Sequence, residues 1–149
     1  MTVEEALRRF EIKDALRGMK ANIKSNETET FAGLYIQHTP EYRFVVLFTH
    51  NGEETIKPYI PEGMDEYVEV RTAEFSYAYL QDTRHEVQSV FESLGIKSDS
   101  CTNIMENRVE FDVLAADRIT IDNAIRDGIL IVPDGVDIIT VESLAQPAD

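Results

Sequence analysis

Two stretches of this chain carry nearly the same wording, and no other feature constrains its fold as much. EYRFVVLF (41–48) and ENRVEFDV (106–113) align through Glu, Arg and the apolar strand that follows. Downstream of each comes a Pro-acid-Gly phrase, PEGMDEYVEVR (61–71) and PDGVDIITVES (133–143), and each phrase runs on into a strand. Both halves therefore read as hairpin, connector, Pro-x-Gly turn and strand, with a long helix between them. The connector from Glu41 to Pro61 is shorter than that from Glu106 to Pro133. Duplication of a unit and the shared demands of turn chemistry both account for the likeness.

Periodicity sets the elements. Residues 2–25 read as a helix opened by a capping-box pair, Thr2 and Glu5, and supported by Glu4/Arg8 and Glu5/Arg9. Val3, Leu7 and Phe10 form one apolar stripe, and Ile12, Leu16, Met19 and Ile23 a second, rotated one, which predicts a bend. FAGLYIQH (31–38) and YRFVVLFTH (42–50), split at Thr39-Pro40-Glu41, predict a hairpin. Phe44 to Phe48 is apolar in both phases, so that strand is central or covered on both sides. EETIKPYI reads as a helical turn or irregular segment, and YVEVR (67–71) as a half-buried strand.

The clearest helix is 77–94, with Tyr77, Leu80, Val87, Phe91 and Leu94 on one side and Gly95 beyond its end. CTNIM and NRVEFDV predict two strands joined near Glu106-Asn107, with Val109, Phe111 and Val113 inward. A short helix over 117–128 and a last strand over 136–142 complete the pattern. From residue 67 the order is strand, helix, strand, strand, helix, strand. That is the βαββαβ unit of a ferredoxin-like α+β fold, with an antiparallel sheet, preceded here by an extra hairpin and an N-terminal helix. The expected organisation is a helical arm over 1–30, one α+β domain over 31–142 and a loose tail over 143–149.

Composition narrows the classes of function. The 28 acidic residues against 14 basic ones leave a net charge of −14, which repels phosphate backbones and anionic membranes. Nucleic acid is disfavoured as a partner, and no apolar run reaches the ~18 residues that a membrane helix needs. The amphipathic, charged start MTVEEALRRF does not read as a signal peptide. The one cysteine, Cys101, excludes an internal disulfide and a cysteine-based zinc site.

Little in the chain points to catalysis. His38, His50 and His85 fall in no metal-ligand spacing. Asp99, Cys101, Asn103 and Glu110 imitate part of a calcium loop, but Ile104 stands where that loop requires Gly, and the segment reads as strand. No nucleophile elbow or phosphate-binding glycine loop is present. No cofactor, metal or catalytic residue is assigned. What remains is surface. If helices cover one sheet face, the other presents Glu69, Arg71, Arg108, Glu110 and Asp112, interleaved with some of Tyr35, Phe44, Val46 and Phe48. The N-terminal helix buries the apolar members of this set, the preferred reading, or they form a charge-rimmed patch for a protein partner.

FAGLYI leading into PEYRFVVLFT, and later ENRVEFDV, resemble the pro-region modules of alpha-lytic-protease and streptogrisin-type serine proteases. The resemblance covers roughly 31–142. It implies a non-catalytic α+β module that assists folding of a protease and then inhibits it. It also implies contact through the open sheet face and the segment after Val141, and an exported protein whose signal or anchor lies upstream. A strongly acidic module suits a basic serine protease as partner. The alternative is a ferredoxin-like regulatory or scaffold domain that pairs with itself or binds a small ligand. An enzyme ranks behind both, since it needs a convergent polar set that the sequence does not supply.

Overall fold

The computed structural model describes residues 1–145. The chain divides into two compact units at Ala78/Tyr79. It is α+β, with N-terminal helices and two three-stranded mixed sheets, consistent with a ferredoxin-like α+β fold.

The first unit opens with α1 (Val3–Ala15), where the Thr2 hydroxyl accepts the Glu5 N–H at 3.1 Å and Glu4 and Glu5 face the positive end of the helix. The helix expected over 2–25 is two helices. Gly18 has φ +86°, a conformation that costs glycine little and breaks the ladder before α2 (Met19–Asn26). The break sends the two apolar stripes to different fates. Ile12, Leu16, Met19 and Ile23 are buried, whereas Val3, Leu7 and Phe10 are exposed.

Strands β1 (Phe31–Gln37) and β2 (Arg43–Phe48) pair antiparallel, with Leu34 opposite Val46 and Ile36 opposite Phe44. A short helix, α3 (Gly52–Ile56), and a 3-10 turn (Lys57–Tyr59) carry the chain across to β3 (Val68–Thr72). Because that connection crosses over and does not turn back, β3 lies parallel to β2, with Phe44 opposite Val68 and Val46 opposite Val70. Phe44, Val46 and Phe48 form the core with Ile12, Leu16, Met19 and Ile23, so α1 and α2 cover this face of the hairpin. Burying a side chain of this size contributes about 1.5–3 kcal/mol.

The second unit repeats the plan: α4 (Tyr77–Ser93), β4 (Ser98–Asn103), β5 (Arg108–Leu114), α5 (Ala115–Arg126) and β6 (Val136–Val141). The first two residues of α4 belong to the first unit. Strand β4 begins before the expected CTNIM, and Ile104 and Met105 lie in the turn. Strands β4 and β5 are antiparallel, and β5 and β6, joined through α5, are parallel. Val109, Phe111 and Val113 are fully buried, and Phe111 meets Phe91 of α4 edge-on at 5.3 Å.

The order βαββαβ from β3 onward is present, but the ladders join β3 to β2 and close β4–β6 as a separate sheet. The antiparallel sheet expected from that order is thus two mixed sheets, because each crossover helix returns its strand to the hairpin just before it. The repeated wording carries through to register. Phe44 pairs with Val68 as Val109 pairs with Val136, and Val45 with Glu69 as Glu110 with Asp137. Of the tail expected over 143–149, residues 146–149 lie outside the described residues.

Candidate functional site

Strand β5 alternates cleanly, which separates two faces of the second sheet. The face of Val109, Phe111 and Val113 is covered by α4, whose Arg84 donates to the Ser100 hydroxyl and carbonyl, both at 2.9 Å, and whose Gln81 donates to Thr102 at 2.9 Å. The other face carries Arg108, Glu110 and Asp112 of β5, all half-buried. Register adds Asp99, Cys101 and Asn103 from β4 and Asp137 and Ile139 from β6.

Side chains on this open face are mutually held. Arg108 grips Asp137 with two donors, Nε to Oδ2 at 2.6 Å and Nη2 to Oδ1 at 2.9 Å. That bond keeps the Asp137 carboxyl below its ordinary pKa. Asn103 donates to Glu110 Oε1 at 3.0 Å, and the Cys101 thiol lies 3.7 Å from Glu110 Oε2. Loss of water around the sulfur, and then the Glu110 carboxylate, push the Cys101 thiol up. The shift lowers the thiolate fraction at a given pH and so makes the sulfur less nucleophilic. Asp99 accepts the Ala145 N–H at 2.6 Å. Four carboxylates (Asp99, Glu110, Asp112, Asp137) against one guanidinium (Arg108) leave this face with a charge of 1 − 4 = −3. Ile139 is 40% exposed beside them.

The remaining surface residues named from the sequence belong to the first unit. Phe44, Val46 and Phe48 are buried in the core, packed with residues of α1 and α2. Tyr35, Glu69 and Arg71 share the opposite face of the first sheet. Arg71 donates to the Tyr35 hydroxyl at 2.8 Å and to Glu69 Oε2 at 2.8 Å. Tyr35 stands opposite Val45 on one side and Arg71 opposite Leu47 on the other, so their bond passes across β2. The single surface expected from these residues is thus one closed polar lattice, one buried set and one open face.

Sequence reasoning missed Asp137, Asp99 and Ile139. The alternation of VDIITVE places Asp137 and Ile139 in one phase, but only the parallel register shows that this phase joins Glu110 and Asp112. Of the histidines, His38 lies against the Tyr42 ring at 5.7 Å, and His50 Nδ1 is 3.3 Å from the Thr49 hydroxyl. Among the described residues no group of three or more His, Cys, Asp or Glu is placed to hold a metal ion, and no helix is long and apolar enough to cross a membrane. No protein-family model and no curated protein matches the chain.

Proposed function

We propose that this chain is a non-catalytic protein-binding module of the pro-region kind, acting on a basic serine protease as folding chaperone or inhibitor. The observation that carries the reading is the open acidic face of the second sheet. A covered sheet with one face bare offers a broad, rigid platform, and alternate side chains along its strands supply selectivity. Its charge of −3 draws a basic partner in and sets orientation on approach. The resemblance of the two hairpins to protease pro-regions gives that partner its class.

The test is a titration of the purified chain against an alpha-lytic or streptogrisin-type protease, following residual activity and the refolding yield of denatured enzyme. Stoichiometric inhibition or assisted refolding is the expected result; no effect on either, from a folded and monodisperse sample, rules the reading out. A second reading, a regulatory or scaffold domain that pairs with itself, draws on the exposed stripe of Val3, Leu7 and Phe10 on α1. Gel filtration with light scattering separates the two, since only the second requires a dimer.

A further inference from the structure

A groove of about 600 Å³ lies in the first unit between the α1–α2 corner and β1. We propose that it docks an extended apolar peptide segment bearing carboxylates, laid along β1 as an added strand. This site is independent of the acidic sheet face in the second unit and binds the opposite kind of charge.

Three features converge on that occupant. Apolar Leu16, Leu34, Ile36 and Phe44 are among its lining, and Leu16 and Phe44 are buried. Phe10 stands at its side 65% exposed, a large ring left in water next to the apolar surface that would receive a ligand. Phe10 also continues the exposed stripe of Val3 and Leu7, so apolar surface extends beyond the groove along α1.

The rim is basic. Lys13, Arg17 and Lys20 line it, and the one carboxylate there, Asp14, is taken by Arg17 at 2.8 Å. Lys13 and Lys20 have no ion-pair partner among the described residues. This cluster is unusual in so acidic a chain. Residues 1–24 hold six cations (Arg8, Arg9, Lys13, Arg17, Lys20, Lys24) and four acids (Glu4, Glu5, Glu11, Asp14), or 6 − 4 = +2. The rest of the chain then carries −14 − 2 = −16. A local positive rim on an otherwise negative molecule selects acidic ligands and turns basic ones away.

The wall is an edge strand. Strand β1 pairs with β2 on one side and with no strand on the other among the described residues. Alternate N–H and C=O groups along such an edge point outward and template a further strand. A compact amphiphile would use the apolar floor and the lysines but not this edge. A peptide uses all three.

The experiment is fluorescence polarisation with the full chain and labelled octapeptides of Val, Leu and Glu, their Lys-for-Glu counterparts, and a version N-methylated at alternate backbone positions. The Glu peptide is expected to bind, and the Lys peptide and the N-methylated peptide each to bind about tenfold more weakly or worse. Lys13→Glu with Lys20→Glu, both exposed helix positions, lowers the affinity about tenfold, and Phe10→Ala lowers it independently. Glu110→Arg with Asp112→Arg leaves it unchanged, which separates this site from the one under Proposed function. Equal binding of Glu and Lys peptides, indifference to the Lys13/Lys20 or N-methyl changes, or no binding of the Glu peptide overturns the proposal. Saturation by dodecanoate without peptide binding also overturns it and gives the groove to a single-chain amphiphile.

Discussion

Val45 and Leu47 at the centre of the first sheet stand where the second sheet has Glu110 and Asp112, in the same register and on the same face. In the first unit the long polar side chains come from the flanking strands: Tyr35 on β1 and Arg71 on β3 reach across β2 and bond to each other at 2.8 Å. The central strand beneath them is short and apolar, with Val45 fully buried. In the second unit the arrangement is inverted. Two carboxylates, Glu110 and Asp112, stand on the central strand, and the positions equivalent to Tyr35 and Arg71 hold Cys101 and Ile139, neither able to span it. One frame thus produces a closed face or an open one, according to which strand carries the long polar groups. The buried core on the other face is the same in kind in both.

Substitutions at equivalent positions break or sharpen that contrast. The largest effect belongs to Val45→Asp, which places an unpaired carboxylate in a site with no exposure. It is expected to cost about 4 kcal/mol and to unfold the first unit. Glu110→Val, its register equivalent, stays within about 1 kcal/mol of the parent. Urea unfolding followed by circular dichroism measures both, and equal losses would mean that the two faces are not different in burial.

Next comes the crossover. A Cβ at Gly52 would fall 2.6 Å from Val70 Cγ1 and 2.9 Å from Phe48 Cδ2, so Gly52→Ala is expected to cost about 1–3 kcal/mol. Helix α5 opens instead on an exposed Ala115, where Ala115→Gly costs less than about 1 kcal/mol. The same unfolding curves decide this pair.

Asp137→Asn removes the bidentate partner of Arg108. Both side chains are more than a third exposed, 38% and 42%, so water screens the pair and the loss is at most about 1 kcal/mol at neutral pH. Folding depresses the Asp137 pKa, so its contribution is present above the unfolded carboxyl value and vanishes as pH falls through the folded one. Stability of parent and variant should therefore converge on acidification below about pH 4, and a constant gap would contradict the assignment.

The smallest effect is kinetic. The raised pKa of Cys101 predicts slower alkylation by iodoacetamide at pH 8 than for a free thiol. Glu110→Gln removes the second cause of the shift and restores part of the rate. A pH–rate profile identical in parent and variant would show that Glu110 does not act on the sulfur.

Much of this frame is written locally. The alternation in RVEFDVL marks Val109, Phe111 and Val113 as core, and Thr2 and Glu5 mark the start of α1. The matched phrases at 41–48 and 106–113 anticipate a register shared to the residue. What local patterning does not carry is strand partnership. Nothing in YVEVR says that it lies beside Phe44–Phe48 and not beside a strand of the second half, because parallel pairing rests on a crossover and leaves no turn signal. Nor does periodicity tell the two stripes of the N-terminal segment apart. Val3, Leu7 and Phe10 are as regularly spaced as the buried set, and only the left-handed Gly18 and the packing beyond it decide which stripe meets the sheet. The acidic face suffered in the same way, since Asp137 joins Glu110 only through the β5–β6 ladder.

The most direct test of the central claim, that the open face of the second sheet binds a basic protein, is calorimetric titration of the chain into an alpha-lytic or streptogrisin-type protease. The parent would be compared with Glu110→Arg/Asp112→Arg, changes that lie on the solvent side of β5 and leave its core untouched. One-to-one binding by the parent is expected, weakening with added salt and falling at least about tenfold in the double variant. Absence of binding by a folded parent, or binding that the double variant leaves unchanged, would contradict it.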